Sequence, residues 1–142
     1  MDSRKISDLQ PVAGRKCLEL FGLWFNSGLD PIITCTVRSL EESLRLYCQG
    51  RTKPGKIVTM CKPGQSFHNY GVAWDAYPRI EGSILWAYDD TILHQQHWDK
   101  MGQIAETVGV EWGRHFHSIK DTPHWQFTQG HDLAYFQGGG KL

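Results

Sequence analysis

The chain has 142 residues, with 15 Lys and Arg against 15 Asp and Glu, so its formal net charge is zero with histidine neutral. That balance excludes a broadly cationic nucleic-acid binder or a polybasic membrane-surface protein. A hydrophobic content of 40% with 6 Trp, 5 Tyr and 6 Phe excludes a disordered chain, and the length suits one compact domain.

The first stretch, MDSRKISDLQPVAGRK, is polar and lacks the apolar run of a secretory signal. No window approaches the ~20 apolar residues of a bilayer span, so cytoplasmic synthesis without membrane insertion is expected. From about Pro11 to Asn26 the apolar residues Val12, Leu18, Leu20, Phe21, Trp24 and Phe25 are distributed as on a helix, with Gly28 as its stop. In PIITCTV, Ile33, Cys35 and Val37 alternate with threonines, which predicts a half-buried strand ending at Arg38. Ser39 and Glu42 have capping-box spacing and open a second helix that closes before Gly50.

After the turn-rich GRTKPGK, Ile57 to Met60 reads as a short strand, and KPGQS turns the chain into SFHNYGVAWD. There Val72, Trp74 and Ala76 alternate with Ala73, Asp75 and Tyr77, so Asp75 leaves a strand on the face opposite Trp74. SILWAYDD is extended or turning. A third helix is predicted over about Thr91 to Val108, on the stripe Trp98, Met101, Ile104, Ala105 and Val108. RHFHS and HWQF are read as short extended pieces flanking a turn, and residues 137–142 as a flexible glycine-rich tail. Cys17, Cys35, Cys48 and Cys61 form no CxxC pair and are read as buried thiols. The pattern predicts a single α+β domain over 1–142, core about 5–130, with a small, mainly antiparallel sheet packed with about three helices.

Hydrolytic zinc usually has three protein ligands and leaves one position for water. His68 and Asp75 are candidates for two ligands, although a simple hydrogen-bonded turn also explains their spacing. His124 in DTPHW is the best third candidate, because Pro123 presents Asp121 and His124 on one rigid turn. Asp121 then stands as an unliganded carboxylate able to take a proton from the water and return it to a leaving amine. His94 and His97 share a helix face and can instead join Asp90; His115 and His117 alternate around Phe116. Both arrangements also suit plain solvated faces. Arg38 is a candidate to hold a substrate carboxylate or an oxyanion, or else an ordinary salt bridge. Glu111 is a partner behind a ligand, a substrate contact or a solvated acid.

The pattern SxHxxGxAxD, intact as Ser66, His68, Gly71, Ala73 and Asp75, resembles the zinc D-alanyl-D-alanine carboxypeptidase superfamily, and within it the L-alanyl-D-glutamate peptidases of phage endolysins. EWG and DTPHWQ are similar to its second signature, and ITCTVRSLEESLRLYCQGR to its arginine-bearing segment. The resemblance implies one Zn2+ held by His68, Asp75 and His124 at one edge of the sheet, Asp121 as catalytic acid/base and Arg38 as substrate-orienting residue. Ser66, Tyr70, Glu111, Trp112 and Trp125 are the expected substrate contacts, with Tyr70, Trp112 and Trp125 shaping a groove. It further implies a monomeric endolysin that cleaves the L-alanyl-D-glutamate bond of the peptidoglycan stem peptide and needs a holin to reach the wall and periplasm. Asp121 in DxxH, where carboxypeptidases of this kind have ExxH, favours the endopeptidase over a D-alanyl-D-alanine carboxypeptidase or dipeptidase. A non-catalytic zinc-containing wall-binding module is the alternative outside enzymology.

Overall fold

A computed structural model describes residues 2–142. Among these residues there are four α-helices and a five-stranded antiparallel sheet, with the strand order β1-β2-β5-β4 and β3 paired to β2, and α1 and α3 pack on the sheet. Helix α1 (Pro11–Asn26) has Pro11 in its first turn, where no donor is lost, and buries Ala13, Cys17, Leu20 and Trp24 at helical spacing. Strand β1 (Pro31–Cys35) follows. Ser39 then caps α2 (Leu40–Cys48) by accepting from the Glu42 N–H.

Strand β2 (Ala73–Ile80) turns into β3 (Ser83–Ile84) through Glu81 and Gly82, both at positive φ, as a two-residue primed hairpin requires. Helix α3 (Ile92–Thr107) leads to β4 (Glu111–Trp112). A 3-10 turn at Gly113–His115 precedes β5 (His124–Gln126), and α4 (Leu133–Gln137) is capped by Asp132.

The sheet has two distinct faces because strand side chains alternate. Trp74 and Trp125, paired across β2 and β5, enter the core with Trp24, Trp98 and Met101 from α1 and α3. Trp112 stacks on Trp125 at 5.4 Å, and the Trp24 indole donates to the Met101 carbonyl. The other face carries two adjoining rows of polar groups. Cys35 pairs with Asp75, Asp75 pairs with His124, and Gln126 pairs with Glu111 one step farther on. Tight packing of tryptophans on one face therefore fixes the register of polar groups on the other.

Several local expectations are corrected. Ile57 to Met60 form no strand. They have no neighbouring strand to pair with, leave Ile57, Val58 and Met60 exposed, and are held by Arg51 donating to the Thr59 carbonyl. RHFHS is not extended, because Gly113–His115 winds into the 3-10 turn. Helix α4 was not foreseen, although Asp132 is a recognisable cap before an apolar run. In the glycine-rich tail, the Leu142 N–H donates to Gln10 and the Gln137 amide to the Gly64 carbonyl. All four cysteines are free thiols, but Cys61 is exposed and Cys48 half-buried, so only Cys17 and Cys35 fit the reading of buried thiols. Among the described residues no helix is long and apolar enough to cross a membrane.

Candidate metal centre

The centre is assembled by the sheet and one short turn. Ser66 starts a 3-10 turn (Phe67–Tyr70) by accepting from the His68 N–H, and Gly71 ends it at φ 70°. A side chain there would be strained and would press on the Gln10 backbone, so glycine lets the turn drop directly into β2. His68 is thereby buried against the polar rows on the sheet, and its Nε2 lies 3.1 Å from Asp75 Oδ1. His124 approaches the same oxygen with Nδ1 at 3.9 Å, and the two imidazole rings are 5.0 Å apart, edge to face.

The remaining ring nitrogens are already committed. His68 Nδ1 lies 2.8 Å from the Thr36 carbonyl and His124 Nε2 2.8 Å from Gln126 Oε1. Carbonyl partners of this kind hold a proton on the outer nitrogen, so the inner nitrogen is the one that meets a cation once it carries no proton. Ligand atoms on a tetrahedral zinc with bonds of ~2.0–2.1 Å lie ~3.3 Å apart, and the 3.1 and 3.9 Å separations bracket that spacing. Two neutral imidazoles and a carboxylate thus fit a divalent metal. Cys35 Sγ also lies close, and Cys35, His68 and Asp75 each offer a donor atom within 4.8 Å of the others. The thiol, however, meets the outer Nδ1 of His68 at 3.6 Å, behind the ring.

Electrostatics follow from burial and proximity. Burial alone disfavours an imidazolium at His68, but the charge and hydrogen bond of Asp75 outweigh it and lift His68 to about 10. Asp75 is depressed in return: burial acts upward, and His68, His124 and Arg38 overcome it. His124 is lowered by burial and by the neighbouring His68 charge. Asp121, 3.7 Å from His124 Nδ1, is raised: partial desolvation and the Asp75 charge outweigh the opposing charges of His124, His68 and Arg38. Its side chain remains 53% exposed and makes no closer contact with the ring, as a carboxylate free to move a proton should.

The peptidoglycan L-alanyl-D-glutamate endopeptidase CwlK of Bacillus subtilis is 42% identical over 121 residues, which is 83% of this chain and 72% of that protein. A family model described as D-alanyl-D-alanine carboxypeptidase matches residues 61–127, the stretch that holds His68, Asp75, Asp121 and His124. The chain belongs to this metallopeptidase family. Solved structures share the fold of the peptidase. The Serratia marcescens L-Ala D-Glu endopeptidase ChiX superposes with a TM-score of 0.62 at 17% identity, covering 90% of this chain and 89% of that one. The vancomycin-resistance D,D-pentapeptidase VanY, in complex with Zn(II), superposes with a TM-score of 0.60 at 13% identity, covering 84% and 72%.

The other candidates divide. Arg38 stands at the centre's border, but its Nε and Nη2 donate to both carboxylate oxygens of Asp2 at 3.0 and 3.1 Å, and Nη2 lies 3.7 Å from Cys35 Sγ. Its guanidinium fork is committed to an acid of the peptidase itself. A cleft of about 740 Å³ opens beside the metal centre, walled by Phe67, Glu111, Trp112, Phe116 and His117, with Gln126 on its floor. Trp112 and Glu111 both line this cleft. Trp125 is a correction: strand alternation turns it fully into the core beneath Trp112. Tyr70 is another, since it stacks on Phe136 beside a separate 340 Å³ cavity and donates to the Gly64 carbonyl, away from the cleft. Ser66 caps the turn of His68 with its hydroxyl.

His94 pairs with Asp89 and His97 with the Leu93 carbonyl, so the site with Asp90 does not assemble. His115 lies against Trp112 on the 3-10 turn and does not alternate with His117 on a strand. Sequence reading missed Cys35, Thr36 and Gln126. For Gln126 a signal was present, since position i+2 on a strand from His124 must share its face.

Proposed function

We propose that this peptidase is a zinc-dependent endopeptidase that hydrolyses the L-alanyl-D-glutamate bond of the peptidoglycan stem peptide, acting as a monomeric phage endolysin in host lysis. The observation that carries it is the division of labour around Asp75, where three inward-facing donor atoms are flanked by a fourth group, Asp121, that is committed to none of them. The bond assignment draws on the 42%-identical endopeptidase. It is supported by Arg38, whose closed pair with Asp2 leaves its fork poorly placed to receive the free terminal carboxylate that a carboxypeptidase recognises.

When bound by His68, Asp75 and His124, zinc supplies the positive charge that acidifies water and polarises a carbonyl. Asp121, exposed beside the centre and bound to none of its donor atoms, accepts the proton of the water that attacks the L-alanyl carbonyl. The same carboxyl returns that proton to the D-glutamyl nitrogen as the C–N bond breaks. Trp112 and Phe116 wall the adjacent cleft, with Phe116 against the His124 ring, and hold the peptide at the centre's side, where orientation shortens the reactive path. Synthesis in the host cytoplasm, followed by access to wall and periplasm through a holin lesion, completes the reading.

Metal analysis of purified protein, combined with mass spectrometry of digested muropeptides with and without a chelator, tests it. Peptides newly beginning with D-glutamate are expected, and only with metal. Loss of D-alanine alone overturns the bond assignment, and digestion undiminished by chelation overturns the metal dependence. Expressed in bacteria, the protein should lyse cells only after membrane permeabilisation; lysis without it removes the holin step.

A further inference from the structure

Two hydrogen bonds lead from Glu111 on the wall of the cleft to the buried ring of His124, and a third braces Glu111. Thr128 Oγ1 donates to Glu111 Oε1 at 2.9 Å, Gln126 Nε2 donates to Glu111 Oε2 at 3.1 Å, and Gln126 Oε1 faces His124 Nε2 at 2.8 Å. The β4–β5 register places Glu111 directly opposite Gln126, so the contact is built into the sheet. An ionised carboxylate only accepts. The Gln126 amide nitrogen must therefore turn toward Glu111 and its carbonyl toward His124. A carbonyl also only accepts, so the single ring proton of His124 sits on Nε2 and the Nδ1 lone pair is left facing Asp75.

From this chain of polarities we infer that Glu111 is a positioning residue, which acts through Gln126 to fix His124 as the Nε2–H tautomer and so present Nδ1 to a metal. The purpose of the device rests on the proposed metal-dependent function. The tautomer itself is a property of the metal-free chain. Glu111→Gln changes almost no volume but replaces one acceptor by a donor. The relay then has a second arrangement. Gln126 turns its carbonyl to the new amide and its nitrogen to His124, whose Nε2 becomes the acceptor and whose proton moves to Nδ1, where it blocks the ligand position. The Thr128 hydroxyl can donate or accept and so tolerates both arrangements. A purely structural brace would survive the exchange, because the number of hydrogen bonds is unchanged.

Long-range 15N–1H spectra of histidine-labelled, metal-free protein read the tautomer, and competition with a chromophoric chelator reads zinc affinity. The wild type should show His124 as Nε2–H. Glu111→Gln should populate Nδ1–H and lower zinc affinity about 10–100-fold, the usual reach of a group behind a ligand. Thr128→Val, which spares the Glu111–Gln126 bond, should keep the Nε2–H signal and an affinity within about twofold of wild type. The inference is overturned if Glu111→Gln keeps a pure Nε2–H signal at undiminished affinity, or if Thr128→Val loses as much. Should Glu111→Gln fail to fold, Gln126→Leu removes the carbonyl from His124, and a pure Nε2–H signal there overturns the inference equally. A wild type with the Nε2–H signal that takes up no zinc refutes the proposed function while supporting this assignment; one that binds zinc but shows Nδ1–H before loading refutes this assignment alone.

Discussion

Removing the Asp121 carboxylate separates chemistry from folding. The side chain is 53% exposed and makes no contact with the ring of His124 closer than 3.7 Å. What the local fold uses is its backbone: Asp121 N–H donates to the Gly113 carbonyl, and the Asp121 carbonyl accepts from the His124 N–H. Asp121→Ala keeps both, so folding stability should move by no more than about 0.5 kcal/mol. The three donor atoms around Asp75 are untouched, and zinc content should stay at one per chain. Loss of a placed general base slows the chemical step by about 10²–10⁴-fold, which is about 2.7–5.4 kcal/mol at 1.36 kcal/mol per tenfold. Muropeptide turnover under saturating substrate, with metal content measured on the same preparation, decides the matter. Turnover within about threefold of wild type would refute the base assignment. Equal loss of zinc and turnover would make Asp121 a ligand.

Three further outcomes test how the fold serves the centre. Gly113→Ala would drive a Cβ into the Asp121 carbonyl oxygen and to 3.0 Å from His124 Cβ; displacing that turn should cut turnover about 10²-fold, whereas Gly22→Ala, where nothing lies within 4 Å, should leave turnover unchanged. Trp125→Ala should destabilise the protein by about 3–5 kcal/mol in denaturant titration, and a selective change in KM without loss of stability would contradict its burial in the core. Zinc uptake should release about one proton at pH 7.5, because His68 is lifted to about 10 in the metal-free chain and must bind as a neutral ring. Calorimetry in buffers of differing ionisation enthalpy measures it. The sign is fixed by the upward shift: the His68–Asp75 pair stabilises the metal-free fold fully below the unfolded value of 6.5 and loses that contribution as pH rises through about 10.

The first two helices and the strand bearing Asp75 were legible because each carries a local signal. Pro11 and the apolar spacing fix α1, Ser39 fixes the start of α2, and the alternation of Trp74, Asp75 and Ala76 fixes both the strand and the direction of Asp75. Residues whose role depends on a partner strand were not. Trp125 reads equally as a groove aromatic or a core residue until β5 is laid beside β2, and only then does its pairing with Trp74 send it inward. Arg38 could be placed near the centre by its strand, yet its tie to Asp2 joins residues 36 positions apart and leaves no periodic trace. Ile57 to Met60 failed for the opposite reason, since β-forming residues without a neighbouring strand have nothing to pair with.

The same pairing makes stability and chemistry inseparable. Asp75 and His124 face each other only while Trp74 and Trp125 do so on the reverse side, and strand side chains alternate with a period of two. A slip of one residue in β5 would expose Trp125 and carry His124 into the space between α1 and α3. Burying an indole is favoured by a few kcal/mol over exposing it, and the imidazole would leave Asp75 for an apolar layer, carrying the polar Gln126 amide in with it. Both penalties oppose the slip. The tryptophan layer, which touches no ligand atom, thereby holds His124 opposite Asp75 before any cation arrives, and changes in that layer that preserve volume should leave metal affinity intact while those that loosen strand register should not.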